Sequence, residues 1–128
     1  MEQWIIPCNL KYYDVFGAFN NLKSVDWKQT CRSISVGDEV FIYVGKPVSA
    51  ILYKCKVNCV NYKMPKIDDT AFVINGDPFE NYGNYMELEL LEKFNETQFH
   101  RDILVKHGLK GNIQGARRVN ELTQLLNS

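Results

Sequence analysis

Gly37-Asp38-Glu39-Val40-Phe41-Ile42-Tyr43-Val44-Gly45 sets the reading of the whole chain. Gly37-Asp38 is a turn signal, because glycine accepts positive φ and aspartate bonds its own backbone. The run Val40 to Val44 is β-branched and aromatic, too short for a helix, and bounded by glycine. Those features predict a strand buried on both faces. Gly45-Lys46-Pro47 breaks it, and a second strand begins near Val48. There Ile51, Tyr53, Cys55, Val57 and Cys59 alternate with Lys54, Lys56 and Asn58. A doubly buried strand beside an alternating one predicts the hairpin of a small, strongly curved sheet or barrel.

Working outward, Trp4-Ile5-Ile6-Pro7 reads as a first strand. Pro7 lacks a ladder donor, so the strand ends there or lies on an edge at that point. Asp14 is placed to cap a helix with Val15, Phe16, Phe19 and Leu22 on its apolar side, weakened by Gly17. Ser24 to Cys31 reads as a second short turn or helix. Met64 to Tyr85 is the least regular stretch, an exposed excursion with Ala71-Phe72-Val73-Ile74 as its one strand-like island. Met86, Leu88 and Leu90 alternate with Glu87 and Glu89, which predicts a half-buried strand running to Phe94. Asn95 and Gln98 stand at capping-box spacing before a helix carrying Phe99, Ile103 and Leu104. Gly108 is expected to end that helix. A last helix is expected from about Arg117, with Val119, Leu122, Leu125 and Leu126 inward.

The bulk numbers exclude several classes. The chain has 128 residues, 45% of them hydrophobic, which fits one globular domain over residues 1–128. Lysine plus arginine and aspartate plus glutamate are 15 each, which argues against tight non-specific coating of DNA. No apolar run approaches the roughly 20 residues of a membrane span, and no signal-peptide pattern opens the chain. A cytoplasmic protein without membrane contact is expected. Cys8, Cys31, Cys55 and Cys59 lack CxxC spacing. Cys55 and Cys59 would lie roughly 13 Å apart on a strand, too far to bridge. Reduced thiols and no zinc site or other cofactor are expected.

Catalytic chemistry is poorly served. His100 and His107 are the only histidines, seven apart on one expected helix, and no serine or cysteine sits in a nucleophile elbow. Gly108, Gly111 and Gly115 follow a helix, so they are no dinucleotide fingerprint. Asp38 or Glu39 near Lys46 is the best acid–base pair on offer, and the turn already explains Asp38. No enzymatic activity is expected. What stands out is aromatic and amide content in the connections: Asn9, Tyr12, Tyr13, Trp27, Gln29 and Tyr43. Rings stack on a planar base at about 1–3 kcal/mol each. Amides read base edges through paired donors and acceptors. The competing reading is that a Trp or Tyr in a connection is a lid on the core.

The ordered set Trp4-Ile5-Ile6-Pro7, Asn9, a tyrosine-containing helix, Asp26-Trp27, the Gly37–Tyr43 strand and the strand Ile51–Val60 resembles the EVE domain, a relative of the PUA and YTH folds. More narrowly, it resembles the EVE-like modules joined to nucleases in modification-dependent restriction. The likeness covers roughly residues 3–62. The stretch from His107 to Gly115 with Arg117-Arg118-Val119 also resembles the end of such modules. The resemblance implies an α+β, PUA-like curved mixed sheet or β-barrel of five to six strands with peripheral helices. It implies a pocket for a flipped, modified base: a methylated or hydroxymethylated cytosine, or a methyladenine, with DNA favoured.

By the same resemblance, Trp27 matches the first cage tryptophan of YTH domains, Asn9 the polar base contact, and Tyr43 and Gly45 the pocket floor and rim. Gln29, Gln114 and Arg117 are added from position and chemistry. No second cage tryptophan can be placed, since Trp4 belongs inside the first strand; Tyr12, Tyr13 or Tyr62 would substitute. Lys11, Lys28, Arg32, Lys46, Arg117 and Arg118 border the expected pocket loops and are the expected phosphate contacts. No nuclease is present in this chain, so a separate nuclease or other effector is the expected protein partner. The alternative is a PUA-like module for RNA or a small planar ligand.

Overall fold

The computed structural model describes residues 1–68, 70–74 and 84–127. In chain order the elements are β1 (Gln3–Cys8), α1 (Val15–Asn21), β2 (Ser24–Gln29), β3 (Glu39–Val44), β4 (Ala50–Tyr62), β5 (Asn84–Lys93), α2 (Arg101–Lys106), β6 (Arg117–Arg118) and α3 (Thr123–Leu126). Short 3₁₀ turns occupy Thr70–Phe72 and Asn120–Leu122. The six strands form one mixed sheet in the order β2-β5-β4-β3-β1-β6. β1 and β3 are parallel, and the other neighbouring pairs are antiparallel. This is the α+β mixed sheet with peripheral helices that the resemblance implies, at the upper end of its five to six strands.

β3 is central and buried on both faces, as its composition requires. Val40, Ile42 and Val44 enter one core with Trp4, Ile6, Val57, Met86 and Leu88, closed by α1 through Val15, Ala18 and Phe19. Phe41 and Tyr43 enter a second core on the opposite face with Ile5, Phe99, Leu104, Leu122 and Leu126. Period-2 alternation thus feeds two separate cores from one strand.

Several expectations are corrected. Ile51 does not share a face with Tyr53: a bulge shifts the register between Ile42 and Tyr43, and Ile51 joins the second core while Tyr53 stays in the first. Ser24 to Gln29 is the strand β2, not a turn or helix. Val25 and Trp27 face the first core and Asp26 alternates with them, a period-2 pattern that β5 completes by pairing. Asn95 caps a turn, accepting from the Thr97 and Gln98 N–H groups at 3.0 and 2.9 Å, and α2 begins only at Arg101. His100 and His107 therefore flank α2 as its caps. The expected helix from Arg117 opens instead as β6, because Arg117 and Arg118 add to the β1 edge opposite Ile5 and Trp4. Ala71-Phe72-Val73-Ile74 forms a 3₁₀ turn and one bridge, Tyr13 to Val73. The rest of the irregular excursion, residues 75–83, lies outside the described residues.

Other expectations hold. Asp14 caps α1, accepting from the Gly17 N–H at 3.0 Å. Gly17 leaves room that a Cβ would take from the Asp14 carboxylate and from the Phe72 ring, the latter 2.9 Å away. Gly108 ends α2 at φ +112, a conformation that favours glycine. All four cysteines are free thiols.

Candidate nucleic-acid interface

Trp27 sits on β2, at one edge of the sheet, with its indole half-buried against the first core. Tyr13 meets it edge-on, with ring centroids 5.6 Å apart and planes at 75°. Tyr13 comes from the turn after β1, which Asn9 organises. The Asn9 side-chain oxygen accepts from the Lys11 N–H at 2.9 Å, and its carbonyl accepts from the Tyr12 and Tyr13 N–H groups. Asn9 is thus exposed with its side-chain oxygen engaged in an Asx-turn. Lys11 lies over the Tyr12 ring at 5.7 Å. The Gly45 N–H donates to the Cys8 carbonyl at 3.0 Å, which joins the β3–β4 loop to this turn and puts exposed Lys46 beside it.

A strap covers this corner. The Asp26 carboxylate accepts from the Lys66 and Ile67 N–H groups at 2.8 and 2.7 Å, and from the Tyr62 hydroxyl. Further on, Asp14 N–H donates to the Phe72 carbonyl at 2.7 Å and Ile74 N–H to the Tyr12 carbonyl at 2.9 Å. The strap therefore runs from Asp26 beside Trp27 to the turn that carries Tyr13. Asp26, which the sequence marks only as the neighbour of Trp27, is the buried anchor of this strap. Its signal was a lone acidic residue inside an apolar alternation.

The expected site is only partly assembled. Trp27 and Tyr13 come together. Tyr43 does not join them: it is buried in the second core, on the other face of β3, because the strand alternates. Gln29 is spent on backbone groups, accepting from Asn61 N–H and donating to the Cys31 and Ile34 carbonyls. Arg117 and Arg118 lie on β6, at the opposite end of the strand order from β2. Arg117 donates to the Lys110 carbonyl and pairs with Glu121. Arg118 pairs with Glu2 and covers the Trp4 ring at 5.1 Å. Arg32 is exposed in the loop after β2, and Gln114 is exposed in the loop before β6. Lys28 follows Trp27 on β2 and caps the Tyr85 ring at 4.3 Å.

Cys8 and the acid–base candidate Asp38 are both buried. Burial, with Asp14 adding to it, pushes the Cys8 thiol up to about 12, so it stays protonated. Asp38 lies at the opposite end of β3 from Lys46 and is buried. It accepts from the Trp4 indole at 3.0 Å, the Ser35 N–H at 2.9 Å and the Glu2 N–H at 3.0 Å. No group of three or more His, Cys, Asp or Glu that could hold a metal occurs among the described residues. Among these residues no helix is long and apolar enough to cross a membrane.

The fold has solved neighbours. The ASCH protein of Zymomonas mobilis superposes with a TM-score of 0.62 at 13% identity, covering 98% of this chain and 94% of that one. A structural-genomics protein from Pseudomonas putida gives 0.67 at 16%, covering 98% and 97%. A hypothetical protein from Leishmania major gives 0.66 at 15%, covering 99% and 93%. No protein-family model matches the chain, and no curated protein matches its sequence. At such identities the likeness shows fold alone. The chain has the α+β fold of these neighbours, of which the Zymomonas mobilis protein carries the ASCH name and none carries the EVE name.

Proposed function

We propose that this chain is a nucleic-acid-binding module of the PUA-like type, and not an enzyme, that holds one unpaired or flipped base against Trp27. The observation that carries the reading is the half-buried indole of Trp27 on the edge strand, held edge-on by Tyr13 on an ASCH/PUA-like fold. Stacking supplies about 1–3 kcal/mol per base, enough to offset much of the few kcal/mol that extrusion costs. Tyr13 takes the place of the missing second tryptophan by fixing the indole plane. Lys11 and Lys46 border the same turn and supply phosphate contacts. The EVE-like part of the reading adds that the base is modified, as a methylated or hydroxymethylated cytosine or a methyladenine, and that an effector protein acts on the bound site. The polymer is RNA or DNA, and the two differ in dependence on the 2′-hydroxyl.

The test is tryptophan fluorescence titration with short DNA and RNA oligonucleotides carrying plain cytosine, 5-methylcytosine, 5-hydroxymethylcytosine or N6-methyladenine. Selective quenching by one modified oligonucleotide is expected. Trp27→Ala should weaken that binding by about 1–3 kcal/mol, a ten- to hundred-fold loss in order of magnitude. Equal affinity of wild type and Trp27→Ala would remove the site from this corner. No binding of any oligonucleotide by wild type would remove the reading.

A further inference from the structure

Tyr53 carries a hydroxyl that the fold does not use. On β4 it stands beside Ile42 of β3, which stands beside Ile6 of β1. The side chain enters the first core and is 5% exposed. Its ring packs on Phe19 of α1, with centroids 4.8 Å apart and planes at 44°. Packing therefore accounts for the ring. The hydroxyl has no hydrogen-bond partner among the described residues. No side-chain nitrogen or oxygen among them is both sealed from solvent and unpaired, so the hydroxyl lies at the small part of the side chain that solvent still reaches. A hydroxyl drawn this far out of water without a partner works against folding, and phenylalanine would keep the same ring contacts. Burial, with Cys8, Asp14 and Cys55 adding to it, pushes the hydroxyl up to about 12, so it is a donor at neutral pH. Cys8 and Asp14 stand at the two ends of the turn that Asn9 organises. The hydroxyl thus lies under that turn, and the same turn presents Tyr13 to Trp27.

We propose that the Tyr53 hydroxyl is the specificity contact of the base site, donating to an acceptor on the edge of the base that Trp27 stacks, a ring nitrogen or an exocyclic oxygen. The inference rests on the reading of Trp27 as the base position and separates two roles there. Stacking tolerates any sequence, because every base has a π-face. A deeply set donor does not. A base that offers an acceptor satisfies it, whereas one that offers an N–H or a methyl group leaves it unpaired. A site built to hydrogen-bond its ligand therefore rejects the analogue lacking that group more strongly than an apolar pocket can. The Asn9 side-chain oxygen is engaged with the Lys11 N–H, so Tyr53 supplies the polar contact that this oxygen does not. The competing account is a hydroxyl that merely touches water, and it requires binding to be indifferent to that hydroxyl.

The experiment compares wild type, Tyr53→Phe and Trp27→Ala in urea unfolding and in affinity for labelled DNA and RNA oligonucleotides, read by fluorescence anisotropy. The oligonucleotides carry plain cytosine, 5-methylcytosine, 5-hydroxymethylcytosine or N6-methyladenine. Tyr53→Phe should keep the wild-type urea midpoint, because no hydrogen bond within the protein is lost. It should lose about three- to ten-fold in affinity for the best-bound oligonucleotide and keep its affinity for the worst-bound one, so that selectivity falls by the same factor. Trp27→Ala should weaken all of them alike. A lowered urea midpoint in Tyr53→Phe would overturn the inference, since the hydroxyl would then serve the fold. So would an equal loss for every oligonucleotide, an unchanged selectivity, or a wild type that binds all of them alike. In each of these cases weakened binding by Trp27→Ala leaves the Trp27 reading standing. No binding of any oligonucleotide by wild type overturns the inference together with the reading beneath it.

Discussion

Asp38 shows how a residue of the opening turn becomes a structural centre. Burial acts to raise its carboxyl, but the Glu2 and Ser35 N–H groups, the Trp4 indole and the nearby N-terminal charge outweigh it and hold it below the ordinary carboxylate range. A depressed folded-state value adds stability that is present above the unfolded value, about 3.9, and is lost as pH falls through the folded one. Wild-type stability should therefore fall on acidification below about pH 4, and part of that dependence should vanish in Asp38→Asn. Asp38→Ala leaves three donors without their charged acceptor, so a loss of at least about 2 kcal/mol is expected in urea denaturation. An unchanged midpoint would sink this account. The sequence marked Asp38 as a turn residue; that the turn also clamps β1 through Trp4 depends on pairing between residues 34 apart.

At the scale of elements, β2 and its strap matter most. The Asp26 carboxylate accepts from both the Lys66 and the Ile67 amides. Asp26→Ala should speed hydrogen exchange at those two amides by ten-fold or more in order of magnitude, while exchange at Val57, inside β4, stays near the wild-type rate. Unchanged protection at Lys66 and Ile67 would show that the strap is held by something else. Here the sequence misled on type. Ser24, Asp26 and Lys28 alternate with Val25 and Trp27, but two apolar residues are too short a pattern to mark a strand until β5 pairs with it. The candidate site suffered likewise: Trp27 and Tyr13 were legible as exposed-connection aromatics, whereas the wrong placement of Tyr43 follows from a strand whose two faces look equally apolar in sequence.

For the whole molecule, the sheet serves two cores, and the C-terminal segment closes the second. Leu122 is fully buried there among Ile5, Phe41 and Leu104. Leu122→Ala should lower stability by about 2–5 kcal/mol, with an unchanged dependence on denaturant, while Leu91→Ala, at a site 47% exposed, should shift it by less than about 0.5 kcal/mol. Equal effects at the two positions would mean that the C-terminal segment is not part of the cooperative unit.

Local pattern determined the strands β1, β3, β4 and β5, the Asp14 cap and the Gly108 stop, because period-2 alternation, a capping carboxylate and a positive φ are properties of a few neighbouring residues. It also determined that Val119, Leu122 and Leu126 turn inward, whatever element carries them. Only the tertiary structure decided that β2 is a strand, that Arg117-Arg118 joins an edge, which core receives Tyr43 and Ile51, and which aromatics meet at Trp27 and at Tyr53. Each of these depends on a partner distant in sequence: an edge needs a strand to lie against, and a bulge in one ladder moves a side chain from one core to the other.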